Sequence, residues 1–252
     1  MKLESLVQYA DAYLGVEGHP DYPQALNGLQ VEGPHEVTRI ATAVDASLVT
    51  IERARDMGAH LLLVHHGLFW DGLTPVIGRQ YRRMKALLDA GMGLYSCHLP
   101  LDAHGEIGNC ILLTRALGLE PEGRLGTYKG AELGWWGSYP EPIPVDTLVS
   151  RTGAAVDGPV RALAGGPSEI RSVGVLTGGG ASFVREAAEM GLDAFVTGEG
   201  AHHTFFDAEE LGIHVLFAGH YATETFGIRT LGDRLADQFG LDVSFVHRPT
   251  GL

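Results

Sequence analysis

The sequence is poor in cysteine and in positive charge, and it has no long hydrophobic run. Only Cys97 and Cys110 occur among 252 residues, so no disulfide framework can hold the fold, and a reducing cytoplasm is the expected location. Lys and Arg number 18 against 31 Asp and Glu, a net charge of −13 that argues against nucleic acid as a partner. No apolar run approaches membrane-spanning length, and residues 1–11 predict an amphipathic helix rather than a signal peptide.

What the chain does contain is the apolar content of a globular protein and a regular α/β pattern. Hydrophobic residues make up 45% of the sequence, which excludes a disordered chain. Residues 39–44 predict a strand, Ser47 a helix N-cap, residues 48–57 a helix ended by Gly58, and residues 61–64 a second strand. A strand, a helix and a strand in this order imply parallel pairing, so the predicted fold class is α/β.

Two adjacent histidines, His65 and His66, follow the apolar strand and precede Gly67. Neighbouring side chains of a regular strand point to opposite faces, so within the strand the two imidazoles could not share one ligand. Gly67 lets the chain turn and the pair fan apart, so each histidine could serve a different metal ion at the edge of a parallel sheet. A lone histidine would be better explained as a cap or a surface residue, but further ligands downstream favour a metal site.

A weak internal repeat divides the chain into two halves. Residues 39–67 contain a strand, a Ser-led helix and a strand, and residues 172–200 repeat that order. The periodicity weakens between residues 121 and 167, where Gly and Pro are frequent. We therefore predict two α/β lobes, residues 1–127 and 128–252. The similarity reflects either a structural duplication or the general likeness of βαβ units.

Each half also offers a histidine with a carboxylate four residues later, His98 with Asp102 and His220 with Glu224. The second pair would share one face at a helix start, whereas Pro100 is expected to place the first pair on a turn. Nitrogen and oxygen donors without thiolate suit zinc, iron, manganese, cobalt or nickel. Two carboxylates and a hydroxide would nearly balance the charge of two divalent ions, whereas a single ion with all six ligands would have no open position.

Two residues are candidates for catalysis. An open two-metal site is a template for hydrolysis, because it makes water nucleophilic near neutral pH. Glu199 follows another predicted strand and could be a general base or a substrate contact, or only a solvated residue at a helix start. His98 could bind a metal ion, assist proton transfer, or hold Asp102 or a water molecule from outside the ligand set. The glycine-rich turn at residues 177–180 could cradle a phosphate, although tight packing explains it better.

Several of these stretches resemble the NIF-three-like proteins, a family also labelled type 2 GTP cyclohydrolase I. The resemblance is to the short bacterial form, because the chain has no room for the domain that longer members insert between the two halves. The matching stretches span nearly the whole chain in the family's order: residues 27–33, 64–70, 98–102, 177–182, 197–199 and 219–224.

The resemblance implies a dinuclear metal centre in a cleft between the two lobes, in which Glu224 bridges both ions. The implied ligands are His65, His66, Asp102, His220 and Glu224. It also implies a toroidal homohexamer, and the cyclohydrolase label implies hydrolytic opening of the guanine imidazole ring of GTP with release of formate. The sequence shows no guanine-reading motif, so the substrate-binding residues stay unassigned.

Three hypotheses about function remain open. The first is a two-metal hydrolase that acts on a small molecule such as a nucleotide. The second is a metal-handling protein that stores or delivers iron or another ion without turnover, and the third is a binding protein whose metals only hold the lobes together.

Overall fold

The computed structural model describes all 252 residues, and it divides into two compact units. The first unit comprises residues 1–101 and 227–248, and the second comprises residues 102–226 and 249–252. Each unit has its own mixed α/β architecture with one sheet. The division into lobes 1–127 and 128–252 stays a prediction.

The first unit contains five strands and the helices that flank them. In chain order its elements are α1 (Leu3–Leu14), β1 (Gly28–Val31), β2 (Arg39–Asp45), α2 (Leu48–Asp56), β3 (Leu61–His66), α3 (Gly78–Ala90), β4 (Gly93–Ser96), the start of α4 (Leu99–Ala103), most of α10 (Thr225–Phe239) and β11 (Asp242–Phe245). The strand order in the sheet is β1-β4-β3-β2-β11. The pairs of β2 with β3, β3 with β4 and β11 with β2 are parallel, and β1 is antiparallel to β4.

The central parallel strands of this sheet are apolar because consecutive residues, which point to opposite faces, are buried. The first five residues of β3 are buried, and Leu62 and Val64 pack with Ile51 of α2 and Leu87 of α3. The predicted N-cap of α2 is confirmed, since the Ser47 side chain accepts a hydrogen bond from the Thr50 N–H at 3.1 Å. The predicted parallel βαβ unit is therefore present.

The second unit contains six strands. In chain order its elements are the end of α4, α5 (Asn109–Ala116), β5 (Glu120–Tyr128), β6 (Ala131–Pro144), α6 (Val145–Val156), β7 (Arg161–Leu163), β8 (Glu169–Val175), a 3-10 turn (Gly180–Phe183), α7 (Val184–Glu189), β9 (Ala194–Thr197), α8 (Thr204–Leu211), β10 (His214–Phe217), α9 (His220–Thr223) and the first residues of α10. The strand order is β5-β6-β8-β9-β10-β7. The region of weak periodicity between residues 121 and 167 contains the long antiparallel hairpin of β5 and β6, and it also contains α6, a helix that the sequence pattern does not predict.

The two units repeat the same four-stranded arrangement. In the first unit β2, β3 and β4 run parallel in sequence order, with α2 and α3 as the connections, and β1 adds an antiparallel strand beside β4. In the second unit β8, β9 and β10 do the same with α7 and α8, and β7 lies antiparallel beside β10. This correspondence extends beyond a single βαβ unit and supports the duplication.

None of the helices has the length and apolar character needed to cross a lipid bilayer.

Candidate metal centre

The paired histidines lie at the carboxyl end of β3, as the last two residues of that strand. His65 is fully buried, and the ring centroids of His65 and His66 lie 4.7 Å apart. Both residues belong to the strand, whereas the sequence pattern predicts a strand over residues 61–64 with the two histidines fanning apart where Gly67 lets the chain turn. The two imidazoles are therefore neighbours despite their places in the pleat, and the assignment of each to a different ion stays a prediction.

Each of these imidazoles uses its Nδ1 atom to bind an oxygen of a neighbouring strand end. His65 Nδ1 lies 2.9 Å from the carbonyl oxygen of Cys97, just after β4. His66 Nδ1 lies 2.9 Å from Oδ1 of Asp45, the last residue of β2. Asp45 and His66 are register partners in the parallel pair of β2 and β3, so the sheet itself places the carboxylate beside the ring.

His98 joins the same group of rings from the segment that follows β4. Its centroid lies 5.1 Å from that of His65 and 5.5 Å from that of His66. Its Nδ1 atom lies 2.9 Å from Oδ1 of Asp21, and both side chains are largely buried, at 10% and 6% exposed. Burial alone would raise the pKa of Asp21, but the hydrogen bond and charge of His98, together with donors from Asn27 and Tyr22, lower it below its usual value.

These contacts fix the tautomer of all three rings. A carbonyl or carboxylate oxygen only accepts, so Nδ1 donates the proton and a neutral ring carries its lone pair on Nε2. Oxygen partners of this kind are the usual arrangement behind metal-binding histidines. His65, His66 and His98 each offer a donor nitrogen within 4.8 Å of the other two, so this group could hold a metal ion.

The second unit presents a histidine and two buried carboxylates. His220 and Glu224 lie four residues apart at α9, and His220 Nε2 is 3.2 Å from Glu224 Oε1, so the predicted shared face is confirmed. His220 Nδ1 lies 2.8 Å from Oε1 of Glu199, whose side chain is 52% exposed. Burial alone would lower the pKa of His220, but hydrogen bonds to Glu224 and Glu199 and their charges outweigh it and raise the pKa to about 9.

Asp102 lies in α4, a single helical turn, whereas a non-helical turn had been predicted there. Pro100 is tolerated because it stands in the first turn, where its missing N–H has no intrahelical partner to lose. Asp102 is 5% exposed, and its Oδ1 accepts hydrogen bonds from Asn109 Nδ2 at 2.8 Å and from Thr177 Oγ1 at 3.2 Å. Two neutral donors therefore hold one oxygen of this carboxylate in place.

The donor set of the second unit fits a divalent cation. One carboxylate oxygen of Asp102 and one of Glu224 lie within 4.8 Å of each other, and Glu224 is only 2% exposed. Two buried like charges at this separation are unfavourable unless a cation lies beside them. Carboxylate and imidazole donors together suit zinc, iron, manganese, cobalt or nickel, and nothing in the donors selects one of them.

The glycine run beside this group is explained by close packing. The N–H groups of Gly178 and Gly180 donate to the hydroxyls of Thr223 and Thr197, at 3.1 and 3.0 Å. A Cβ atom at Gly178 would lie 2.1 Å from Glu224 Oε1, so no larger residue fits without moving that carboxylate. Two of the N–H groups that a phosphate would need already donate to these hydroxyls, which argues against the alternative of a phosphate cradle.

Sequence reasoning assigned no role to Asp21, Asp45 or Trp70, although all three contact the histidines. The contact of Asp45 with a histidine was predictable from the sequence, because Asp45 ends the strand next to β3 and neighbouring parallel strands end at the same edge of the sheet. The contact of Asp21 with His98 was not predictable, since Asp21 lies 77 residues from His98 in a segment without regular structure. The Trp70 ring centroid lies 4.8 Å from that of His98 and 5.7 Å from that of His66.

The two sheets and these donors define an α/β protein with residue groups that could hold metal ions. The chain belongs to the Duf34/NIF3 (NGG1p interacting factor 3) family, whose model matches residues 1–250. The resemblance seen in the sequence is thereby confirmed.

Relatives and solved structures agree with this assignment over the full chain. A Pyrococcus abyssi protein named GTP cyclohydrolase 1 type 2 homolog is 43% identical over 254 residues, covering 100% of both chains. The solved structure of protein ybgI, described as of unknown function, has a TM-score of 0.94 at 40% identity, and TTHA1606 from Thermus thermophilus has a TM-score of 0.91 at 37% identity. Each of these structures covers 100% of both chains.

Proposed function

We propose that this protein is a metal-dependent hydrolase that uses two divalent ions to act on a small molecule such as a nucleotide. The observation that supports it best is the pair of buried carboxylates, Asp102 and Glu224, held close together beside a histidine. Relatives named GTP cyclohydrolase 1 type 2 homolog supply GTP as the first substrate to test. On this proposal the reaction opens the guanine imidazole ring and releases formate.

The proposed ligands are His65, His66, Asp102, His220 and Glu224, with His98 as a further nitrogen donor or a proton carrier. When bound, a pair of divalent ions acts as a Lewis acid and makes water nucleophilic near neutral pH.

The surrounding residues keep the donors in position and handle protons. Asp45 and Asp21 hold two imidazoles by their Nδ1 atoms, so each ring presents Nε2 in a fixed direction. Glu199 holds the fourth imidazole and is about half exposed, so its carboxylate can take a proton from the site and release it to solvent. We propose Glu199 and His98 as the groups that assist proton transfer.

Elemental analysis of protein purified without added metal, followed by formate release from GTP and a nucleotide panel, tests the proposal. We expect two equivalents of metal per chain and turnover that a chelator abolishes and metal restores. Glu224→Gln should lose both metal and turnover, whereas the exposed His35→Ala (74% side-chain exposure) is the matched control and should keep both. Light scattering on the same sample tests the predicted homohexamer of 27.0 kDa chains.

Each other outcome contradicts a specific part of the proposal. Two equivalents of metal with no turnover on any nucleotide would refute the hydrolase and favour the metal-handling alternative. Less than one equivalent after reconstitution would refute the two-metal centre itself. Unfolding on metal removal, with no turnover, would favour a structural role for the ions. The cytoplasmic location stays a prediction.

A further inference from the structure

Two aromatic side chains, Tyr22 and Trp70, stand beside the histidine group of the first unit. The Trp70 ring is nearly perpendicular to the rings of His98 and His66, at 83° and 76°. The Tyr22 ring centroid lies 6.0 Å from that of His98 and 6.5 Å from that of Trp70, with 62° between the two aromatic planes. We call these two side chains the Tyr22–Trp70 corner.

Both sides of the corner are fixed by the backbone around them. The Tyr22 N–H donates to Asp21 Oδ1 at 2.6 Å, the same oxygen that binds His98 Nδ1. On the other side, Leu68 is buried two residues before Trp70 in the chain, and its N–H donates to Gln30 Oε1 at 2.9 Å. The corner is therefore positioned relative to the histidines before any ligand binds.

Packing does not explain the Tyr22 side of the corner. Tyr22 is 48% exposed, so much of its ring surface faces solvent next to a group of metal-ligand candidates. If the aromatic rings served only to bury the imidazoles, they would contact the imidazoles but would not need to expose an aromatic surface to water. An exposed aromatic surface beside convergent polar groups is the usual composition of a small-molecule site.

The angle between the planes limits what the corner can bind. Two rings at 62° cannot sandwich a flat group between parallel faces, but they suit one ring that stacks on one wall and meets the other edge to face. Stacking of this kind tolerates any heteroaromatic base, since every base has a π-face. A sugar or a bare phosphate would gain little from it.

We propose that the Tyr22–Trp70 corner binds the planar heteroaromatic ring of the substrate and directs the edge of that ring toward the histidine group. The inference rests on the proposed function for the reaction that follows, but the binding itself can be measured without turnover. It assigns Tyr22 and Trp70 as substrate-binding residues.

Calorimetry on the zinc-loaded full chain tests this with matched probes. GMP and GTP carry the ring, whereas ribose 5-phosphate and tripolyphosphate supply the remaining parts without it. We expect tight binding only for the ring-bearing probes, and about 5- to 100-fold weaker binding of them in Tyr22→Leu and Trp70→Leu. Trp70→Phe, which keeps a ring, should recover most of the affinity. Tyr81→Leu, which removes a tyrosine of similar exposure at 52%, is the control and should bind like the wild type.

The zinc content and melting temperature of every variant are measured first, so that lost binding is not confused with a lost metal site. Tyr22→Leu carries the test if Trp70→Leu fails to fold. Unchanged affinity in Tyr22→Leu with zinc retained would overturn the inference, and so would equal affinity for GMP, AMP, CMP, UMP and ribose 5-phosphate.

The two proposals fail in different ways. Ring-selective binding without turnover would support the corner and refute the hydrolase. Turnover that is unaffected by both leucine variants would support the hydrolase and refute the corner.

Discussion

Replacing Asp21 with asparagine would remove one acceptor oxygen from a buried carboxylate that receives four hydrogen bonds. Oδ1 accepts from the Tyr22 N–H at 2.6 Å and from His98 Nδ1 at 2.9 Å. Oδ2 accepts from Asn27 Nδ2 at 2.8 Å and from the Leu99 N–H at 3.0 Å. Whichever way the new amide is oriented, its NH2 group faces two donors that previously had an acceptor.

The magnitude follows from those two lost contacts. Hydrogen bonds to a charged group contribute about 1.5–3 kcal/mol each, so Asp21→Asn should lower the free energy of unfolding by roughly 3–6 kcal/mol. The matched control is Asp71→Asn, which breaks the ion pair of Asp71 with Arg79. The side chains of Asp71 and Arg79 are 63% and 62% exposed. Exposed pairs of this kind contribute about 0–1 kcal/mol.

Urea unfolding of both variants in the presence of a chelator measures the difference without any contribution from metal. The pKa of Asp21 is lowered from 3.8 in the folded protein, so its charge stabilises the fold above that pH. This stabilisation is lost as the pH falls through the folded-state value, and the difference between wild type and Asp21→Asn should shrink below pH 3.8. A loss at pH 7 no larger than that of Asp71→Asn would refute this account of the Asp21 network.

Two further substitutions test the second unit. Gly178→Ala should displace Glu224 and weaken zinc binding about 10- to 100-fold in a chelator competition. The control is Gly130→Ala, which is also at positive φ but has no atom within 4 Å of the new Cβ, so it should leave zinc binding unchanged. Equal zinc affinities of the two variants would contradict the packing argument. Glu199→Gln should lower the pKa of His220 in metal-free protein from about 9, measured by NMR titration. The protonated imidazole stabilises the metal-free fold below pH 6.5, and this stabilisation is lost as the pH rises through about 9. Glu199→Gln should lose the same stabilisation at a lower pH. An unchanged pKa of His220 in this variant would show that Glu199 does not act on the ring.

Local patterns in the sequence were sufficient to predict the α/β class and the positions of the donors. The Ser47 cap, the apolar run of β3 and the four-residue spacing of His220 and Glu224 each depend on neighbours in the chain. The repeat of strand and helix order was also visible, because each half carries it within about 60 residues.

Features that depend on distant contacts could not be predicted in this way. The pairing of β11 with β2 joins residues about 200 positions apart, and no local periodicity identifies a partner strand. The contact of Asp21 with His98 depends on an irregular segment, where side-chain direction follows no period. The helix α6 was missed because it follows a region whose Gly and Pro content suggested irregular structure.

The pairing of β11 with β2 has a consequence for the order in which the chain folds during synthesis. The first unit needs residues 227–248 to complete its sheet, and these are synthesised only after residues 102–226. Until then β2 is an edge strand with unpaired backbone groups, the kind of surface that invites aggregation. The main segment of the second unit, residues 102–226, is continuous. This segment can therefore fold before the sheet of the first unit is complete. The sheet whose first four strands precede the second unit in the chain is therefore completed only after the main segment of that unit has been made.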